Sequence, residues 1–356
     1  MELSNLPAFL EPELRSTYES ADVARILHGY TQTRPTTLRA NTLRTTRSEV
    51  VAQLEREGFS FQSVPWYEDA FVLGEKEGTA NAANCPATST GPTGAATATA
   101  PVGAATAAVP ANTAGAAVGA TKPQPTLWES PLIKQGLIYV QSLSSMLPPL
   151  YLRLAPGLEV LDMCAAPGGK TTQIAALTHG KAHIAACEQN AIRADKLAFN
   201  LQKQGAENVV LMRQDARRLD SFFSFDRVLL DAPCSGSGTL NARDPKLNKR
   251  FSEALVKDSC KKQAALLSKA LEIVKPGGVV LYSTCSVLKR ENEEIVRNAL
   301  ARANTKSKRY TIDVIDAAPL QEQGVPLLPS TIEGTLTVCP TNLYEGFFMC
   351  RLTRQA

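Results

Sequence analysis

The sequence predicts an α/β protein: a mostly parallel, doubly wound sheet preceded by a small N-terminal α+β unit. Three observations carry that expectation. Between residues 158 and 301, apolar runs that read as strands alternate with helical stretches. The first run, Leu158–Met163, ends in the small-residue turn Cys164-Ala-Ala-Pro-Gly-Gly169, and Lys170–Leu177 continues as a helix. A chain of 356 residues is also long enough for one large domain with a sizeable core and a smaller one beside it.

Taken in order, residues 10–28 carry Leu14, Tyr18, Ala21, Ile26 and Leu27 near helical spacing and predict an amphipathic helix. Thr37–Leu43 predicts a strand. Thr46 opens a helix with Val50, Val51 and Leu54 on one face, closed by Gly58, and 59–64 and 71–73 predict further strands. These elements make residues 1–77 an N-terminal α+β unit whose arginines suit RNA as well as solvent. From Gly78 to Thr121 no residue is charged, and nearly all are Ala, Thr, Gly, Pro, Val, Asn or Ser. Such a segment buries too little apolar surface to offset its ordering entropy, so 78–126 is expected to be a disordered insertion. Its prolines and lack of large apolar side chains argue against a membrane span.

Residues 127–356 form the expected main domain. Leu137–Gln141 predicts a strand and Ser142 the cap of a helix through Leu152. After 158–163 and the helix at 169–178 come strands at 182–188, 209–212, 227–231 and 279–283, with helices at 191–204, 252–274 and 291–301. In such sheets ligands sit beyond the carboxyl ends of the strands, which directs the search there.

Composition narrows the function classes. The eight cysteines show no CxxC pair and there are three histidines, so neither a zinc site nor a disulfide framework is expected. No basic segment followed by an apolar core opens the chain, which points to a cytoplasmic protein. The net charge of +4 permits a polyanionic partner. Between Arg243 and Lys262, seven basic residues (Arg243, Lys246, Lys249, Arg250, Lys257, Lys261, Lys262) face Asp244, Glu253 and Asp258, an excess equal to that of the whole chain. A solvated helix face would look the same; the position beside the strand ends favours nucleic-acid backbone contacts.

Four successive strands end in or are followed by acids: Asp162, Glu188, Asp215 and Asp231. A carboxylate after the second strand is placed to accept both hydroxyls of a ribose, and Asp215 to accept from an adenine amino group. Gly168 and Gly169 allow close approach of a ligand to the backbone, and the helix start behind them favours an electron-rich group. Cys234 and Cys285 lie just past strand ends in Ser- and Gly-rich turns, where a lowered thiol pKa would make either a nucleophile. Spacing alone does not rank the two. Cys164, Cys187, Cys260, Cys339 and Cys350 read as small buried hydrophobes.

Asp162-Met-Cys-Ala-Ala-Pro-Gly-Gly-Lys170, Asp231-Ala-Pro-Cys-Ser-Gly-Ser-Gly238 and Tyr282-Ser-Thr-Cys-Ser286 followed by Glu291-Asn-Glu293 together resemble the Sun family of RNA cytosine-5 methyltransferases. Leu38-Arg-Ala-Asn-Thr-Leu43, Gln141-Ser-Leu-Ser-Ser145 and Glu345-Gly-Phe-Phe348 extend the resemblance to nearly everything outside 78–121. It implies a Rossmann-like class I methyltransferase domain with S-adenosyl-L-methionine as cofactor. It places that cofactor at Cys164, Ala165, Ala166, Pro167, Gly168, Gly169 and Lys170, with Glu188 on the ribose, Asp215 at the adenine and Asp231 near the methionine moiety and target base. It implies Cys285 as the nucleophile that adds to carbon 6 of cytosine, and Cys234 as the thiol that helps release the product. Asp231 would stabilise the adduct, protonated or sharing a proton with N3. The target base must leave its stack, so a single-stranded or flipped nucleotide is expected. The segment Asn241-Ala-Arg-Asp-Pro-Lys246 departs from the family pattern in carrying one arginine, Arg243, before its proline, and Asn248 stands where a lysine is common; both bear on RNA positioning. The implied substrate is ribosomal RNA, with transfer RNA next; DNA cytosine methylation and a non-catalytic RNA-binding assembly factor are the alternatives from other classes. No metal and no membrane partner is expected.

Overall fold

The computed structural model of the chain describes residues 3–74, 126–305 and 309–356. Apart from Thr126, the insertion expected at 78–126 lies outside those residues, Cys85 included.

The chain opens with α1 (Leu10–Thr17) and α2 (Ser20–Gly29), followed by β1 (Thr37–Ala40), α3 (Arg47–Arg56), β2 (Phe61–Val64) and β3 (Tyr67–Leu73). After the insertion come α4 (Pro131–Lys134), β4 (Ile138–Val140), α5 (Leu143–Tyr151), β5 (Glu159–Asp162), α6 (Gly169–Leu177), β6 (His183–Cys187), α7 (Ala191–Gln204), β7 (Val209–Met212) and β8 (Phe225–Asp231). The rest comprises α8 (Leu247–Arg250), α9 (Glu253–Ile273), β9 (Val274–Thr284), α10 (Glu293–Ala303), β10 (Tyr310–Ile312), α11 (Ala318–Glu322), β11 (Leu327–Leu328), β12 (Leu336–Val338) and β13 (Phe347–Arg354).

Among the described residues the large sheet has the order β11-β12-β13-β9-β8-β5-β6-β7, with β10 on β13. Strands β9, β8, β5, β6 and β7 pair in parallel, and the C-terminal strands join antiparallel through β13 on β9. Chain order reverses between β5 and β8, and a crevice opens at such a switch point. Alternate residues of the central strands enter two cores: Val160, Leu229 and Leu281 on one face, Leu161, Leu230 and Tyr282 on the other. Burial on both faces is why these strands read as continuous apolar runs rather than alternating ones.

The smaller sheet has the order β2-β3-β1-β4 and is antiparallel. Its core, built on Leu38, Val50, Leu54, Phe71 and Ile138, is separate from those of the large sheet. Strand β4 therefore belongs to the small sheet although it follows residue 127, so the sheet boundary falls later in the chain than the boundary expected there. Helices α1 and α2 pack the other way, with Leu10, Leu14 and Ile26 against Phe251, Val256 and Val287 of the main domain.

Several expected elements differ in extent, each for a physical reason. The single helix expected over 10–28 is two helices: Tyr18 is extended at their junction, and its hydroxyl donates to Val287 O at 2.8 Å. The strand expected over 37–43 ends at Ala40, where the Asn41 side chain turns to Gly136 O, just before β4, and to Gln204 O at the end of α7 in the main domain. Ser142 sits at the start of α5 without capping it; its hydroxyl donates to the Glu345 carboxylate at 2.7 Å. Helix α10 begins two residues after 291, where Glu291 spends its side chain on the turns after β8 and β9 and Asn292 on the end of β9 and the turn after it.

Candidate active site

A cavity of about 350 Å³ lies at the carboxyl ends of the parallel strands. Cys164, Ala166, Glu188, Asp215, Asp231, Cys234 and Cys285, drawn from five loops, all line it. Ala165, Pro167, Gly168, Gly169 and Lys170 do not. The two glycines of that turn let it pack closely against its neighbours. Gly168 has φ +112°, and a Cβ on it would stand 2.9 Å from Leu197; a Cβ on Gly169 would meet the Tyr139 ring at 3.1 Å. The bare backbone lets the turn pack between α7 and the small sheet. The same turn is held from outside, since Arg193 donates to Ala166 O at 2.7 Å and Asn200 to Pro167 O at 2.7 Å.

At one end of the cavity the Glu188 carboxylate, 5% exposed, accepts from Asn190 N–H at 2.8 Å and lies 3.4 Å from Arg193. Asp215 is spoken for differently: its carboxylate accepts from the Arg217 guanidinium at 2.6 Å and from Arg217 N–H at 3.0 Å. The guanidinium hydrogen bond holds the Asp215 carboxyl below its ordinary range. Burial pushes the Cys164 thiol well up and Cys187 to about 12; Cys187 is buried as expected, while Cys164 is half-buried.

At the other end, Cys234 Sγ and Cys285 Sγ lie 3.0 Å apart. The hydrogen bond to Cys285, then burial, push the Cys234 thiol well above its ordinary value, so Cys234 holds its proton. Asp231 is fixed from both sides, Oδ2 accepting from Lys170 Nζ at 2.7 Å and Oδ1 from Ser283 Oγ at 2.8 Å. Lys170 Nζ also donates to Ser145 Oγ at 2.6 Å and lies 5.5 Å from the centre of the Phe347 ring. Burial works against its ammonium, but Asp231 and Cys285 outweigh that and hold its pKa above the usual lysine value. Lys170 thus stands behind the cavity wall and brings positive charge to two residues that line it, Asp231 and Cys285.

The residues packed behind this pair carry no role that the sequence assigns. Glu291, fully buried, accepts from Ser235 N–H at 2.8 Å, Ser235 Oγ at 2.6 Å, Ser286 Oγ at 2.6 Å and Gln263 Nε2 at 3.2 Å. The Glu291-Asn-Glu293 motif marked it without a role. Ser283, Ser145 and Arg217 were equally unassigned; the one signal for them was adjacency to a strand end or a quoted motif. Gly238 and Gly346 meet backbone to backbone, Gly346 N–H donating to Gly238 O at 2.8 Å and Gly238 N–H to Cys285 O at 2.9 Å. A Cβ on Gly238 would lie 1.9 Å from Gly346 O, which accounts for the Glu345-Gly-Phe-Phe348 motif by close approach.

Outside the cavity, each acid of the 243–262 stretch is paired: Asp244 with Arg250, Glu253 with Lys257 at 3.0 Å and Asp258 with Lys262 at 2.8 Å. The local excess of positive charge remains, and Lys262 reaches the cavity rim. Among the described residues no cluster of His, Cys, Asp and Glu is arranged to hold a metal ion, and no helix is long and apolar enough to cross a membrane.

The chain matches two family models, one described as 16S rRNA methyltransferase RsmB/F over residues 149–353 and one as a Methyltr_RsmF/B-like, ferredoxin-like domain over residues 6–78. It is 31% identical over 327 residues to Ribosomal RNA small subunit methyltransferase F of Shewanella loihica, covering 90% of this chain and 56% of that protein. The corresponding protein of Shewanella amazonensis is 32% identical over 328 residues, covering 90% and 58%. The chain thus spans little more than half the length of these relatives. A methyltransferase homolog from Pyrococcus horikoshii superposes with a TM-score of 0.68 at 26% identity, covering 99% of this chain and 100% of that one. NSun6 from the same organism has a TM-score of 0.73 at 22% identity with 98% of both chains covered, a likeness of fold. The match over 149–353 takes in every parallel strand and the whole cavity, and by it this chain belongs to the 16S rRNA methyltransferase RsmB/F family.

Proposed function

We propose that the chain is an S-adenosylmethionine-dependent RNA cytosine-5 methyltransferase acting on small-subunit ribosomal RNA, and hence in the cytoplasm. The observation that carries the reading is the pair of thiols 3.0 Å apart beside an anchored carboxylate, all lining one cavity at the sheet's switch point. The substrate follows from the names of the relatives and from the basic 243–262 surface with Lys262 at the rim.

The residues present fit the cofactor. Glu188 has a buried carboxylate whose two partners leave acceptor positions for ribose hydroxyls. Asp215, with Arg217, offers polar groups to an adenine edge, and Met163, Cys164 and Ala166 supply an apolar wall. When bound, S-adenosylmethionine supplies the methyl group.

In this reading Cys285 attacks as a thiolate, with the positive charge of Lys170 nearby. Its sulfur bonds to carbon 6 of cytosine, and the electrons of the 5,6 double bond move toward carbon 5 and N3, making carbon 5 nucleophilic enough to be methylated. Both oxygens of Asp231 accept hydrogen bonds, from Lys170 and Ser283, which holds the group where it can share with cytosine N3 the proton that N3 takes from water as the adduct forms and returns to water when the 5,6 double bond is restored. Loss of the carbon 5 proton to water restores the double bond and breaks the carbon 6–sulfur bond, whose electron pair stays on sulfur. Cys234, its proton retained, donates to the departing sulfur of Cys285.

The test is incubation of the protein with labelled S-adenosylmethionine and, separately, small-subunit ribosomal RNA, transfer RNA and DNA, followed by nucleoside mass spectrometry. The reading expects 5-methylcytidine in ribosomal RNA. Label confined to transfer RNA or DNA contradicts the substrate, and a methylated nucleoside other than 5-methylcytidine contradicts the chemistry.

A further inference from the structure

We infer that Glu291 is a positioning residue for the two-thiol chemistry: its carboxylate clamps the turns that carry Cys234 and Cys285 and so sets the gap between the sulfurs. The inference rests on the reading above that both thiols act on the RNA base. Ser235 directly follows Cys234, and Ser286 directly follows Cys285. One carboxylate oxygen of Glu291 accepts from both hydroxyls, at 2.6 Å each, and the other accepts from Ser235 N–H at 2.8 Å. Gln263 completes the set: its amide donates to Glu291 at 3.2 Å and to Pro233 O, the residue before Cys234, at 3.1 Å.

A carboxylate is the group this arrangement calls for. It has about four acceptor positions and no donor, so it draws in donors from both turns and from α9 at once. Burying it without a cation carries a solvation cost, and charge-assisted bonds that are shorter and stronger than neutral ones offset that cost. No ion pair to Glu291 is found among the described residues, so its charge is spent on the two turns. Glu291 does not line the cavity. Its effect on the reaction therefore runs through the sulfurs rather than through contact with cofactor or base.

The clamp can be measured without any RNA. Phenylarsine oxide condenses with two neighbouring thiols, forming two arsenic–sulfur bonds and releasing one water. Intact-mass analysis of the full chain reports the adduct, with Cys234→Ala as the control for the other cysteines. Wild type is expected to bind one arsenical through the pair. Glu291→Ala is expected to lose that adduct, and its kcat for methylation to fall about 100-fold, the order expected of a displacement near 1 Å, with KM for S-adenosylmethionine unchanged. Glu291→Gln is expected to keep the adduct and most of kcat, because the two serine hydroxyls can turn to accept from the amide. Should Glu291→Ala fail to fold, Ser235→Ala with Ser286→Ala removes the two hydroxyls from the clamp, and the same loss is expected there. Retention of the adduct in the alanine variants overturns the inference whatever the enzyme methylates. Loss of the adduct in a protein that never methylates RNA leaves the clamp standing and removes the functional reading instead.

Discussion

Asp162 sits at the carboxyl end of β5 with 1% of its surface exposed. Its carboxylate accepts from Thr171 Oγ at 2.7 Å and from Cys164 N–H at 3.3 Å, and burial pushes its pKa up to about 6. The folded state therefore prefers neutral Asp162, so this residue's contribution to stability is full below its unfolded pKa near 4 and is lost as pH rises through about 6. An upward shift from near 4 to about 6 is worth on the order of 3 kcal/mol. Asp162→Asn keeps a neutral polar group of the same shape, so urea unfolding should show the variant gaining on wild type by that order between about pH 4 and about pH 7. Parallel stability profiles for the two proteins contradict the assignment. In the sequence Asp162 was visible only as an acid at a strand end, equivalent to Glu188 and Asp231. What separates the three is what surrounds them: two neutral hydrogen bonds in a sealed pocket, a carboxylate open to a cavity, and an ion pair with Lys170. Local sequence carries none of that difference, because Lys170 and Thr171 reach these acids only once α6 has turned back over the sheet.

At the scale of elements, the small sheet is fastened to the main domain through β1. Buried Asn41, just past that strand, donates from one amide nitrogen to Gly136 O and to Gln204 O, both at 2.8 Å. Gln204 is the last residue of α7, and helix ends leave carbonyls without partners inside the helix. Arg39 reaches across the same boundary to Gly169 O at 3.0 Å and Thr172 Oγ at 2.7 Å. Asn41→Ala strips donors from two buried carbonyls and should lower the unfolding free energy by about 3 kcal/mol, read by chemical denaturation. A change within ordinary surface-substitution range, about 0.5 kcal/mol, contradicts this fastening role. The motif around Arg39 and Asn41 was legible as a resemblance while its task was not, since its partners lie about 100 to 160 residues further along the chain. The parallel strands were legible because they are short apolar runs between helices of clear period. The antiparallel strands after residue 309 were not. Leu327–Leu328 is two residues long, and Phe347–Met349 to Leu352 is buried along its whole length, so neither shows alternation.

For the molecule as a whole, the organising fact is that loops far apart in sequence converge on one cavity at the switch point between β5 and β8. The turn after β8 and the turn after β9 bring Cys234 and Cys285 together, and the C-terminal Gly346 locks the first turn against the second through Gly238. Both cysteines and all four strand-end acids could be read from the sequence, because a parallel sheet sends its strand ends to one edge. Their pairing could not. The 3.0 Å approach of the sulfurs depends on Glu291 and on two glycine backbones in contact, none of which has a signature in spacing. The proposed mechanism has Cys285 form the covalent bond to RNA and Cys234 assist its release. The most direct measurement compares wild type, Cys285→Ala and Cys234→Ala, each incubated with small-subunit ribosomal RNA and S-adenosylmethionine and then run on a denaturing gel that resolves protein joined to RNA. No joined species and no methylation are expected for Cys285→Ala, and an accumulating joined species with little free methylated product for Cys234→Ala. A joined species that persists in Cys285→Ala, or one that depends on Cys234 alone, contradicts that mechanism.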